Sequence, residues 1–240
     1  GDVVFVSINH RLGAFGFLHL AYVDETADES VNVGMLDIVL ALKWVRDNVA
    51  AFGGDPDNVT VFGESGGGRK VTTLLAMPAA RGLFHKGVIE SGPAVFMNTV
   101  DGVTRLAEAL LEELGIHGNV LDELQRMPAE VLLEAQKSVI AKFGRNTEGL
   151  AQVFAPVVDG TSLPHQPFHP EAPAISDGVP LIVGYNETEW TLFMGRDPDL
   201  LDLDHLRLLQ RLKAADIANP ETVVDVYQAR YPSASAADLL

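Results

Sequence analysis

The 240 residues predict an α/β protein: a mostly parallel sheet with helices on both faces and helical insertions. Three observations carry that expectation. Short β-branched and aromatic runs alternate with segments of helical period. The strand candidates are continuously apolar rather than alternating, as strands covered on both faces are. Turn residues separate most of these segments.

Residues 3–8 form the first strand candidate, followed by a loop bearing Arg11-Leu-Gly-Ala-Phe-Gly-Phe-Leu18. Residues 24–32 are polar and acidic, which reads as a surface loop. Between Leu36 and Phe52, apolar residues at Leu36, Leu40, Trp44, Val45, Val49 and Phe52 recur at helical spacing and form the expected buried stripe. Turn residues 53–57 end that helix. Residues 59–62 read as the next strand, 70–77 as the helix after a run of glycines, and 88–91 as a third strand closed by Gly92-Pro93.

The pattern changes near residue 100. Residues 102–142 are helical, with Leu106, Leu110, Leu111 and Leu114 on one apolar face. Val131, Leu132, Val139 and Ile140 mark another. Residues 151–178 are rich in Pro and His and read as a long loop. Residues 179–185 look like another buried strand, and the chain from Leu200 is helical again. All 240 residues are expected to form part of a single domain: a sheet core over 1–99, a helical insertion over 100–150, a loop and strand over 151–195, and a second helical insertion over 196–240.

Composition excludes several functions. The hydrophobic fraction of 47% with 21% charged residues is that of a globular chain rather than a disordered one. Thirty-three acidic against 17 basic residues give a net charge of −16, a poor match to nucleic acid or an anionic membrane. No cysteine is present, so disulfides, thiolate metal sites and a cysteine nucleophile are excluded. No apolar run approaches the ~18 residues of a membrane span. The chain begins without methionine or a basic-then-apolar leader, and both ends read as internal to a longer protein. The cysteine-free composition favours a bacterial, cytoplasmic origin.

The chemistry concentrates at Gly63-Glu-Ser65-Gly-Gly-Gly-Arg-Lys70. Gly63 and Gly68 have the spacing of a phosphate-binding loop, but Arg69 stands where its lysine belongs and Lys70 where its hydroxyl belongs. The dinucleotide pattern fails because position 65 is serine. Gly63-Glu-Ser65-Gly-Gly67 does match Gly-x-Ser-x-Gly, the strand-turn-helix elbow that lifts a nucleophilic serine into the open. Such a turn aims the Gly66 N–H at a developing oxyanion. Taken alone, the same five residues also suit a glycine-rich loop with a helix-capping serine.

Other segments share one resemblance. Asn9-His-Arg-Leu-Gly-Ala-Phe-Gly-Phe-Leu18 resembles the "NYRLGxxGFL" segment of type-B carboxylesterases, the family of cholinesterases and bacterial p-nitrobenzyl esterases. Gly34-Met-Leu-Asp37 with residues 41–48, residues 52–67, residues 82–92, Pro156-Val-Val-Asp-Gly160 and residues 179–184 continue in family order. The resemblance covers nearly the whole chain and implies an α/β-hydrolase fold and hydrolysis of a small carboxylic ester through Ser65. It implies no cofactor, no metal and no nucleic-acid partner.

The resemblance also implies further site residues. Gly184-Tyr-Asn-Glu-Thr-Glu189 is similar to the family's "GxNxDEG" and places the catalytic acid at Glu189, with Glu187 as rival. Glu64 and Ser91 match supporting positions, Ser91 beside the acid. Arg11 and Asp37 match a structural ion pair. The family's HGGG oxyanion segment would lie before Gly1 and its general-base histidine after Leu240. None of the seven histidines here stands at that position. His85 reads as structural, His10 replaces a tyrosine and packs, and the spacing of His165 and His169 is a weak metal signal. Residues 1–240 alone are therefore expected to be inactive.

Several positions depart from the family. Ile38 replaces glutamine, Trp190 replaces the glycine after the acid, and Arg69 and Lys70 replace small residues at the helix start. Cations there oppose the helix dipole, so an acidic partner is expected in Glu64 or in a substrate carboxylate. Asn-x-Thr triplets at Asn58 and Asn186 read as chance matches to glycosylation sites. Three functions remain: a serine carboxylesterase, a catalytically inactive relative that binds protein, and, disfavoured by the lysine register, a nucleotide binder.

Overall fold

In the computed structural model the described residues are 2–23, 25–92, 94–143, 154–189, 191, 197, 199–200, 202–215 and 217–240. The chain forms two units, Gly1–Tyr185 and Asn186–Leu240.

The first unit opens on an extended stretch and helix α1, Gly13–Phe17. Residues Glu25–Asn32, expected as a loop, wind into a 3₁₀ helix that leads into α2, Val33–Asn48. Strand β1 spans Thr60–Glu64 and α3 spans Gly66–Leu74. Strand β2, Lys86–Glu90, is followed by the two-residue β3, Asn98–Thr99. The helical block resolves into α4 (Val100–Leu114), α5 (Val120–Arg126) and α6 (Ala129–Phe143). Strand β4, Val157–Val158, pairs with β3, and β5 spans Leu181–Gly184.

Strands β1, β2 and β5 form a three-stranded parallel sheet in that order. Alternation along each strand gives the sheet two faces. On one, Gly87 and Ile89 lie buried under α3, whose Val71 and Leu74 are also buried. On the other, Phe62, Val88 and Ile182 stand in register across the strands. There Phe62 is 57% exposed and Ile182 68%.

Three expectations need correction. Residues 3–8 are extended but join no ladder among the described residues. A β-prone run becomes a strand only where a neighbour completes its hydrogen bonds. Its link to β1 is instead a side-chain contact, the Phe5 and Phe62 rings lying 5.9 Å apart. Strand β5 forms at one edge of the sheet but is exposed at all four positions. In α2 the buried stripe is Met35, Ile38, Val39, Leu42 and Val45; of the expected stripe Val45 and Val49 are buried, and Leu40, Trp44 and Phe52 are not. Leu40 is 67% exposed and Trp44 48% exposed. Trp44 packs outside the core against Phe52, with ring centroids 5.9 Å apart. Both stripes are apolar at helical spacing, and packing against α1 and α3 selects one of them.

The main core gathers Phe17, Met35, Leu75, Met77, Leu106 and Leu110, all but fully buried. A second clamp is polar. The buried Asn32 amide donates to the Val157 carbonyl (2.8 Å), Asp159 (3.0 Å) and Ser162 (2.9 Å), and accepts from the Val157 N–H at 3.0 Å. Burial would raise the Asp159 carboxyl, but hydrogen bonds from Ser162, the Leu163 and Thr161 amides and Asn32 together hold it below its ordinary value. A fully satisfied buried network of this kind specifies register as well as stability.

The second unit contains α7 (His205–Ala214), α8 (Pro220–Arg230) and α9 (Ala236–Leu239) around Leu203, Leu208 and Val224. Asp204 caps α7 by accepting from the Arg207 N–H at 2.8 Å. Ser235 and Asp238 form a capping box on α9. Arg211 and Asp197 pair at 2.5 Å.

Candidate active site

Ser65 is the single residue between β1 and α3. The glycines expected as a loop form the first turn of the helix itself. Ser65 adopts φ 52°, ψ −114°, a conformation that disfavours side chains and costs about 1–3 kcal/mol. It occupies the N-cap position, yet its side chain makes no cap hydrogen bond. The capping-serine alternative therefore fails. The backbone turn is held by the Ser65 N–H donating to the Glu90 carbonyl at 2.8 Å and the Arg69 N–H donating to the Ser65 carbonyl at 3.0 Å.

Close backbone approach explains two glycines. A Cβ on Gly63 would lie 2.4 Å from the Gly67 carbonyl carbon. A Cβ on Gly92 would lie 1.9 Å from the Ser65 carbonyl oxygen. In the sequence Gly92 reads only as closing a strand. Its contribution becomes visible once the ends of β1 and β2 lie side by side, and no sequence signal separates it from an ordinary turn glycine. Gly67, the last glycine of the motif, has open space where its Cβ would be.

The first N–H groups of α3 have no partner within the helix. That of Gly66 comes directly after the exposed Ser65 and lies at the positive end of the helix dipole. Donors so placed stabilise the negative charge that develops on a carbonyl oxygen when a nucleophile adds to its carbon.

The same helix start carries Arg69 and Lys70, both half-buried. The Lys70 ammonium donates to the Gly66 carbonyl at 3.3 Å and lies 3.9 Å from where a Gly66 Cβ would be. Burial, then the Arg69 charge, lower the Lys70 ammonium from its ordinary value. Among the described residues neither cation forms a salt bridge, so the partner expected in Glu64 is not there. Both ring nitrogens of His10 are buried without a hydrogen-bond partner among the described residues. Burial lowers the His10 imidazole from its ordinary value, Lys70 adds to that effect and Asp37 opposes it.

Arg11 and Asp37 come together. Asp37 accepts from the Arg11 backbone N–H at 2.9 Å and from the guanidinium at 2.9 and 2.7 Å, a two-pronged pairing. The hydrogen bond from Arg11 holds the Asp37 carboxyl below its ordinary value, against burial. The pair ties the loop before α1 to α2 one turn in from its start.

Glu64 ends β1, exposed and in register with Glu90. Ser91 ends β2 at φ 53° and donates its N–H to the Gly184 carbonyl at 2.8 Å. Glu189 belongs to the second unit, where its carboxylate accepts from the Asn186 N–H at 2.5 Å. Trp190 lies outside the described residues. Among the histidines, His85 Nδ1 accepts from the Val59 N–H at 3.1 Å, and the His169 ring packs 4.8 Å from Phe96.

Comparison with known proteins is consistent along the chain. Residues 1–231 match the carboxylesterase family. The para-nitrobenzyl esterase of Bacillus subtilis (strain 168) is 43% identical over 230 residues, covering 95% of this chain and 45% of that protein. The phenmedipham hydrolase of Pseudarthrobacter oxydans is 36% identical, covering 85% of this chain and 39% of that one. Among solved structures, the Geobacillus stearothermophilus carboxylesterase EST55 superposes with a TM-score of 0.80 at 33% identity, covering 96% of this chain and 47% of that one. A thermophilic p-nitrobenzyl esterase gives a TM-score of 0.74 at 41% identity, covering 91% and 44%. The chain spans about half the length of the relatives it matches. Its fold is that of the α/β-hydrolase esterases. With the elbow at Ser65 and matches running in one order from end to end, the chain belongs to the carboxylesterase family.

Proposed function

We propose that these residues are the nucleophile-bearing part of a serine carboxylesterase acting on small carboxylic esters. One observation supports this above the rest: a strained, uncapped serine held between a parallel strand and a helix N-terminus. In that reading Ser65 Oγ attacks the ester carbonyl carbon, and its proton passes to a histidine base. The Gly66 N–H holds the oxyanion. Collapse expels the alcohol, which takes the proton from the base and leaves an acyl-enzyme. Water then attacks the acyl carbon, the carboxylic acid departs, and the hydroxyl of Ser65 is restored.

Glu189 is proposed as the acid that orients the base, with Ser91 and Glu64 supporting it. The hydrogen bond from the Asn186 N–H holds the Glu189 carboxylate in one orientation. The base and the remaining oxyanion donors would come from residues outside 1–240, in keeping with the span of the relatives. A fluorophosphonate probe should label the full-length protein at Ser65 and leave the Ser65→Ala variant unlabelled. Labelling elsewhere, or none in a protein that hydrolyses p-nitrophenyl acetate, would overturn the assignment.

A further inference from the structure

We propose that Lys70, backed by Arg69, selects esters that carry a free carboxylate, such as monoesters of short dicarboxylic acids. The inference rests on Ser65 being the nucleophile of an esterase. It starts from a charge anomaly. The chain has 33 acidic and 17 basic residues, so basic groups should find carboxylate partners easily. Arg69 and Lys70 sit next to each other in the first turns of the nucleophile helix, where cations oppose the dipole. Neither has a salt-bridge partner among the described residues.

The position of Lys70 gives the anomaly a use. Its ammonium reaches back one turn to the Gly66 carbonyl at 3.3 Å, beside the residue whose N–H faces the attacked carbonyl. Among the described residues only one of its three donors is occupied, and the group is half-buried, so a carboxylate that reached it would be held in a weakly screened environment. Burial and Arg69 both destabilise the Lys70 charge, and a bound carboxylate would relieve both effects. His10 cannot serve as the counter-ion, since an imidazole is neutral or cationic and never anionic. Asp37 is engaged with Arg11. A carboxylate separated from the reacting carbonyl by two or three methylenes has the reach to touch Lys70 while Gly66 holds the oxyanion.

The test uses the full-length protein with two esters sharing one leaving group: p-nitrophenyl butyrate and mono-p-nitrophenyl glutarate. The readout is the ratio of their kcat/KM values, in which any general effect on the helix cancels. Wild type should favour the glutarate monoester by about ten- to hundredfold at low salt, and the preference should shrink as ionic strength rises. Lys70→Met should lower the ratio about tenfold or more, Lys70→Arg should restore part of it, and Arg69→Met should lower it less. A wild-type ratio at or below one would overturn the proposal, as would equal losses on both esters in Lys70→Met. Serine-dependent butyrate hydrolysis in those cases would leave the esterase reading standing. Failure of wild type on both esters would sink the esterase reading itself.

Discussion

Ser65 and Ser91 directly follow neighbouring parallel strands, both at positive φ, 52° and 53°. Each donates its N–H to the next strand over, Ser65 to Glu90 and Ser91 to Gly184, both at 2.8 Å. Only Ser65 passes at once into a helix, which places unpartnered N–H groups beside its hydroxyl. Both serines lie at positive φ, and the difference lies in the segment that each one enters. Backbone strain marks the rim of this sheet at both positions, and the helix N-terminus alone gives one of them electrophilic surroundings.

The largest expected difference between the two is in turnover. Ser65→Ala in the full-length protein should lower kcat for p-nitrophenyl acetate by roughly 10⁴-fold or more. Ser91→Ala should lower it by no more than about tenfold, since β2 does not run directly into a helix. Equal effects would erase the distinction, and unchanged turnover in Ser91→Ala would reduce Ser91 to a strand terminator.

Next comes the contact that joins the two strand ends. Gly92→Ala drives a Cβ into the Ser65 carbonyl, with backbone on both sides and no flexible group to yield. Urea unfolding should show a loss of about 3 kcal/mol or more. A near-neutral result would mean that the elbow relaxes easily.

Within the motif the two outer glycines should behave differently. Gly63→Ala meets the Gly67 backbone and should cost about 2–3 kcal/mol in the same measurement. Gly67→Ala meets open space in a helical turn and should be neutral or gain up to about 1 kcal/mol. A reversed order would show that the turn, not the motif spelling, has been misassigned.

The smallest effect concerns His10, beneath the same helix start. Its proton affinity is lowered in the folded state, so the unfolded chain binds the proton more readily. Stability attributable to this group is present above its ordinary value of 6.5 and is lost as pH falls below it. His10→Phe should flatten the melting temperature between pH 7 and 5 and raise stability by about 1 kcal/mol. An unchanged pH slope would show that His10 is protonated or hydrogen-bonded in the folded protein.

The elbow was legible in the sequence because its constraints are local. A glycine before the serine, small residues after it and a β-branched run in front allow few other backbone paths. Arg11 and Asp37 were legible through a resemblance that spans both segments, since no local rule links residues 26 positions apart. Gly92 was not legible, because its demand comes from a backbone atom on another strand.

By itself the sequence determined the alternation of strands and helices, the strand-turn-helix setting of the proposed nucleophile and the acidic, cysteine-free surface chemistry. All three arise from short-range sterics or from composition. Tertiary structure decided which of two apolar stripes of α2 faces inward, burying Met35 fully and leaving Leu40 in solvent. It also left residues 3–8 outside the ladder and put β5 at an exposed edge. Apolar content sets how much surface seeks cover, but cover is supplied by neighbours, and neighbours are a property of the folded chain.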